Sequence, residues 1–341
     1  MKKSLPLIVL VLVVAVAAYF LSTNIEPSST GIKSQTSFEI SDTSNVGKII
    51  IVSAGSGAKV RLERQADNNW MVNDKFRARE DAIQTILKTF KNIYVQRPVK
   101  KEAVETSLRI IAGGSKKVEI FDREGNWIKT WYVGHASKDN KGTHMLLETP
   151  GGGKSPNPFI MDMKGFIGML NTRFFTDENE WRSVGILNYP NMDIREVEVT
   201  YPDELEKSFR ITYGGGNDIK LYRHDSEKEI SVYDTSVVKD YLLNFKLASF
   251  ENYKTGLSPA ETDSVLQLTP YQVIRVKDNS RERTIRLWPK KVLSEEDAAD
   301  RIEPEVDGDR VYAATTAGEL ALAQRYGWDK FRAPIEAFLV E

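Results

Sequence analysis

The sequence predicts an α+β protein: an N-terminal transmembrane helix followed by two repeated units, each an antiparallel meander sheet with two helices. Three observations carry that expectation. Apolar residues alternate along short runs bounded by Gly, Pro, Asn and Asp, the mark of half-buried strands. Between those runs lie stretches with apolar residues at helical spacing. The same order of elements then returns in the second half of the chain.

The first element is the N-terminal apolar run, which no charge interrupts. Leu5, Leu7, Ile8, Val9, Leu10, Val11, Leu12, Val13, Val14 and Val16, closed by Tyr19, Phe20 and Leu21, form the candidate membrane anchor. Roughly 17 to 25 apolar residues, rising about 1.5 Å each, are needed to cross the hydrocarbon layer. Pro6 sits in the first turn, where a missing N–H costs little. Ala15, Val16 and Ala17 also fit the cleavage site of a secretory signal, so the run reads either as an anchor or as a removable leader. Lys2 and Lys3 orient its start toward the cytoplasm. The expectation is a bacterial inner-membrane protein of a single pass with the bulk of the chain in the periplasm. The division that follows is an anchor over 1–21, a Ser/Thr/Gln/Gly tether over 22–37, a first α+β unit over 38–188 and a second over 189–341.

In the first unit, 47–52 and 58–64 read as paired strands and 70–72 as a short third. Ile83, Ile86, Leu87, Phe90, Ile93 and Tyr94 mark one face of a helix over 79–94. Strands over 118–122 and 126–133 flank the turn Arg123-Glu124-Gly125, and strands over 144–149 and 159–163 flank a glycine run. Phe166, Ile167, Leu170 and Phe174 mark a second helix.

The second unit repeats this order with strands over 194–199, 208–213, 219–223 and 229–233. Its helix carries Val238, Tyr241, Leu242 and Phe245, which match Ile83, Ile86, Leu87 and Phe90 at an offset of about 155 residues. Residues 273–278 match 117–122, and 284–288 match 128–132, an alignment that sets Trp131 on Leu287. A strand over 310–314 and a helix marked by Phe331, Ile335, Phe338 and Leu339 close the chain.

Composition narrows the chemistry. Lys plus Arg number 47 and Asp plus Glu 48, so no net field draws the chain to nucleic acid. There is no cysteine, which removes thiol chemistry, and His135, His144 and His224 are the only histidines. The run Pro150-Gly151-Gly152-Gly153-Lys154-Ser155-Pro156-Asn157-Pro158 imitates the end of a phosphate loop. Such a loop needs a glycine five residues before Gly153, where this chain has Glu148, and it needs a helix to follow, which Pro156 and Pro158 prevent. No nucleotide is expected there.

His135 and His144 can face each other across a hairpin, but no third metal ligand stands near them in sequence. Asp203, Glu204 and Glu206 fall in a turn, where carboxylates are solvated, and 281–283 reads as a wet loop. Trp131 reads as core, whereas Trp127 and Trp181 could stack on a sugar ring. No catalytic residue, no metal ligand and no cofactor site is expected.

The chain also resembles a known family. Trp70-Met71-Val72 with the helix that follows, Trp131-Tyr132-Val133-Gly134, His144-Met145-Leu146, and the passage from Arg182-Ser183-Val184-Gly185-Ile186-Leu187 into Asp193-Ile194-Arg195-Glu196-Val197 resemble the DUF4340 family of membrane-anchored bacterial proteins. The likeness runs over nearly the whole chain after the anchor, through patterning and without a catalytic cluster. It implies an envelope protein that associates with the auxiliary and permease components of an ABC-type export system related to gliding motility, and it supplies no catalytic residue. The expected function is therefore a non-enzymatic scaffold or adaptor that contacts the membrane and other envelope proteins. The alternative is a glycan- or peptidoglycan-binding module.

Overall fold

The computed structural model describes residues 36–292 and 305–340 apart from 225, 227 and 317. The chain divides between Ser183 and Val184 into two units.

The first unit is built on strands β1 (Val46–Ser53), β2 (Lys59–Arg64), β3 (Trp70–Val72), β4 (Phe76–Arg77), β5 (Ile93–Pro98), β6 (Lys116–Asp122), β7 (Trp127–Ala136), β8 (Thr143–Thr149), β9 (Gly153–Lys154) and β10 (Phe159–Met163). They form one antiparallel sheet in the order β4-β3-β2-β1-β6-β7-β8-β10-β5, with β9 paired to β8 off that path. Helix α1 (Glu80–Asn92) lays Ile83, Ile86, Leu87 and Phe90 against the face that carries Ile49, Leu62, Val118 and Trp131. Glu80 and Asp81 in its first turn and Lys91 in its last suit the helix dipole. The helix stops at Asn92 because Ile93-Tyr94-Val95 is a β-branched and aromatic run that leaves as β5. Helix α2 (Val104–Gly114) covers the other face, over β7 and β8, where Ile111 packs so close to Gly134 that a Cβ there would fall 2.9 Å from it. At the centre of the core, Trp131 meets Phe90 edge-on with ring centres 5.0 Å apart and also touches Phe38 and Phe174.

The second unit contains β11 (Gly185–Asn188), β12 (Ile194–Thr200), β13 (Phe209–Gly215), β14 (Asp218–Arg223), β15 (Leu247–Ser249), β16 (Gln272–Asp278), β17 (Glu282–Val292), β18 (Glu305–Thr315) and β19 (Leu320–Gln324). Its main sheet runs β14-β13-β12-β16-β17-β18-β19, and β11 pairs with β15. Helix α3 (Thr235–Leu243) buries Val238, Tyr241 and Leu242 on one face. Helix α4 (Pro259–Gln267) sets Val265 and Leu266 on the other, against Trp288, Tyr312 and Leu322. A third helix, α5 (Arg325–Asp329), buries Trp328 in the core of the α3 face.

Strand by strand the two sheets correspond, β1-β2-β3 to β12-β13-β14 and β6-β7-β8-β10 to β16-β17-β18-β19. The central pair of each carries the same bulge, between Val46 and Lys48 in one and between Ile194 and Glu196 in the other. In the first unit the bulged residue is Gly47, where a Cβ would fall 2.5 Å from the Asp122 carbonyl oxygen.

Several expectations are corrected. The α+β class with an N-terminal transmembrane helix and two helices per unit is overturned: strand takes 42% of the structure against 25% for helix. No described helix is long and apolar enough to cross a membrane. That finding counts against the single-pass inner-membrane, periplasmic placement. The anchor residues from Leu5 to Leu21 and most of the tether lie outside the described residues. The helix expected around Phe166–Phe174 is a single 3-10 turn over Leu170–Arg173, since Gly165 just before it and Gly168 in its first turn take positive φ. The strand expected over 229–233 is reduced to isolated bridges at Glu229 and Tyr233. Finally, the ladders set Trp131 opposite Val118 and Ile285 opposite Ile274, so the counterpart of Trp131 is Ile285 and not Leu287. The slip arises because the β6–β7 hairpin has a bulge after Ile120 that the β16–β17 hairpin lacks.

Candidate functional site

The residues singled out in the sequence are dispersed. The glycine run is the tip of β8–β9, with Lys154 paired to Glu148 in the ladder and its ammonium 3.8 Å from the centre of the Tyr132 ring. His144 Nδ1 lies 2.7 Å from Ser107 Oγ on α2, and burial lowers its pKa, helped by the nearby Arg97 charge and by His135. His135 is against Gly114 at the end of that helix, and His224 faces Glu198 at 3.0 Å in the second unit. Among the described residues no group of three His, Asp or Glu is placed to hold a metal ion. Glu204 pairs with Lys207 on its turn. Trp181 is fully buried with its indole N–H donated to the Phe175 carbonyl at 3.0 Å, so it offers no platform for a sugar. Trp127 is half-buried and bonds Thr130. Arg283, read as part of a wet loop, is instead bonded to Tyr189 and Asp278.

A different feature emerges from the backbone. Each large sheet has two end strands, and a strand end presents unpaired N–H and C=O groups that a second chain can use. Three of these edges are covered by their own unit. Beside β4, Ser183 donates to the Arg77 carbonyl at 2.7 Å. Beside β14, Ile230 donates to Leu221 at 2.9 Å. Beside β19, Leu322 donates to Asn252 at 2.9 Å. The fourth, β5, pairs with β10 alone among the described residues.

β5 is held firmly on its inner side. Asp162 of β10 accepts from Tyr94 Oη at 2.9 Å and from Gln96 Nε2 at 3.3 Å, which ties the outward face of the strand to its neighbour. That bond to Asp162, with a smaller contribution from burial, raises the Tyr94 pKa. Next to this edge the chain turns through Gly165 (φ +74°), a left-handed backbone conformation that other residues rarely adopt. Arg173 lies 4.0 Å over the Phe166 ring and holds it inward, while Ile167 is left 92% exposed. Tyr94, Met163, Phe166 and Ile167 thus line an open hollow of about 510 Å³ beside β5. Ile167 stands as an exposed apolar side chain at the rim of this hollow. No known protein family, curated protein or solved structure matches the chain.

Neither β5 nor its shelf was visible in the sequence reading, because Ile93 and Tyr94 continue the apolar spacing of α1. The signal that separates them is Val95: three consecutive β-formers followed by Pro98 fit a short strand better than a last helical turn.

Proposed function

We propose that this protein is a non-enzymatic adaptor that docks a partner protein by strand addition at β5. The observation that carries the reading is the edge of β5, which pairs with β10 alone among the described residues and is bordered by Ile167 at 92% exposure. Main-chain hydrogen bonds along Ile93–Pro98 give such a contact its affinity, and a hollow for alternate side chains gives it selectivity. The occupant that fits is an extended segment with an apolar side chain on the Tyr94–Ile167 shelf. Arg97 and Pro98 at the far end of the strand limit its length and disfavour open-ended stacking of copies. The resemblance to the DUF4340 family supports a partner among the components of an ABC-type export system.

Hydrogen-exchange mass spectrometry of the full chain with its isolated, identified partner tests this reading. Amides of residues 93–96 are expected to slow in the complex, and Ile167→Asp to weaken it at least about tenfold. Protection confined to another surface, or a complex of full strength with the Ile167 variant, rules the docking mode out.

A further inference from the structure

At the opposite end of the same sheet, a cleft of about 470 Å³ collects three guanidiniums from three elements: Arg64 from β2, Arg77 from β4 and Arg123 from the β6–β7 turn. They converge on one loop. Arg64 Nη1 and Arg123 Nε both donate to the Ser44 carbonyl at 2.8 Å, which holds the two heads adjacent. Arg123 Nη2 also donates to Asn68 Oδ1 at 2.7 Å, and Arg77 Nη2 to the neighbouring Asn69 Oδ1 at 2.8 Å.

All of these acceptors are neutral. Among the described residues none of the three arginines has a carboxylate within ion-pair distance. Three carboxylates stand near without pairing with these guanidiniums: Asp42, bonded to Ser44, and Asp67, bonded to both nitrogens of Asn69, temper the arginine charge through space, and Glu80 completes the lining. Arg64 is stacked 4.9 Å from the Trp70 ring, and its Nε is buried without a hydrogen-bond partner. Holding like charges together on neutral acceptors, one donor unsatisfied, costs free energy unless an anion completes the set.

We propose that this cleft is a binding site for a phosphoryl group, free or as a small monoester. A planar carboxylate presents two oxygens to a single guanidinium fork, whereas a tetrahedral oxyanion offers separate oxygens to donors arriving from three directions. Asn68 and Gln84 in the lining add neutral donors for the remaining oxygens. The second unit serves as an internal control. In the matching sheet positions Arg64 becomes Tyr213, Trp70 becomes Ile219 and Arg123 becomes Asn279, and no strand corresponds to β4.

Isothermal titration of the full chain with inorganic phosphate, with glycerol phosphate and with acetate, all at constant ionic strength, tests the site. Saturable binding of a phosphate probe is expected, at least about tenfold tighter than acetate and weakened at least about tenfold in both Arg77→Gln and Arg123→Gln. Both arginines are exposed, so these variants should fold, and an unchanged melting temperature verifies it. Tighter binding of glycerol phosphate would assign the site to an ester, equal binding to the free ion. Absence of saturable heat, acetate binding as tightly as phosphate, or full affinity in the folded double variant Arg77→Gln/Arg123→Gln would overturn the proposal.

Discussion

The two units set the same strand order in two different chemistries, and the contrast is sharpest where each lead-in segment meets its sheet. In the first, Lys129 lies opposite Ile120, and its ammonium is buried among the carbonyls of Ser37, Phe38 and Glu39 at 2.8, 3.3 and 2.8 Å. In the second, Arg283 occupies the corresponding position opposite Val276 and reaches Tyr189 and Asp278 instead. Both cations fasten the segment that leads into the central strand, one to backbone and one to side chains. A shared frame therefore fixes where a cation is useful, and the local sequence decides what it holds.

The largest effect that would break this correspondence is in the core. Trp131 fills the centre of the first unit among Phe38, Phe90 and Phe174, whereas the smaller Ile285 serves at the matching position of the second. Trp131→Ala is expected to cost about 3–5 kcal/mol. Ile285→Val should cost only about 0.5–1.5 kcal/mol. Urea denaturation followed by hydrogen exchange in each unit checks both, and the loss in the Trp131 variant should be confined to residues 36–183.

The two cation clamps differ next. Lys129→Met leaves the buried Phe38 carbonyl without that donor, at about 1–3 kcal/mol, while water can reach the part-buried carbonyls of Ser37 and Glu39; with an ammonium no longer desolvated, a net loss of about 1–2 kcal/mol is expected. The clamp has a signature in pH as well. Burial pushes the Lys129 pKa down to about 8, against a smaller upward pull from Glu39. The folded state then sheds its proton before the unfolded chain does, so stability should rise between about pH 8 and 10.5. That rise should vanish in Lys129→Met when melting temperature is followed across the window.

The second clamp responds at the opposite end of the scale. Burial opposes ionisation of Asp278, but hydrogen bonds from Ser280, Arg283 and Tyr189 outweigh it and hold the carboxyl at about 2. Its contribution is present above the ordinary carboxylate pKa and is lost as pH falls toward 2. Asp278→Asn should cost about 1.5–3 kcal/mol at neutral pH and flatten the acid slope of the second unit, read by hydrogen exchange in its β16 and β17 amides.

These contrasts also show what a sequence displays. Alternation made β2 and β6 visible, and a short apolar run made β1 visible. The candidate site was invisible, since whether an edge is covered depends on distant residues such as Ser183 or Asn252 donating or accepting at the right place. The arginine cleft was hidden for the same reason: Arg64, Arg77 and Arg123 are brought together by ladder order, not by spacing. The register of Trp131 was misread because a bulge adds residues without changing the apolar pattern.

The smallest effect concerns the outer helices, α2 and α4, which occupy matching places but begin differently. Ser258 and Glu261 form a reciprocal capping box at the start of α4, with Pro259 in its first turn, whereas α2 follows Ala103 and has no side-chain cap. The helix over 259–267 is absent from the sequence-based expectations because the apolar spacing beyond Ser258-Pro259 is weak. Because α4 contributes only Val265 and Leu266 to the small cluster around Trp288, its cap should carry an unusual share of its stability. Ser258→Ala is expected to cost about 1 kcal/mol, seen as faster exchange of the α4 amides with the main sheet unchanged. The matching change in α2, Ala103→Gly, removes no cap and should leave its anchoring by Ile111 against Gly134 intact. Equal loosening of both helices would show that packing, and not capping, sets the order of the outer layer.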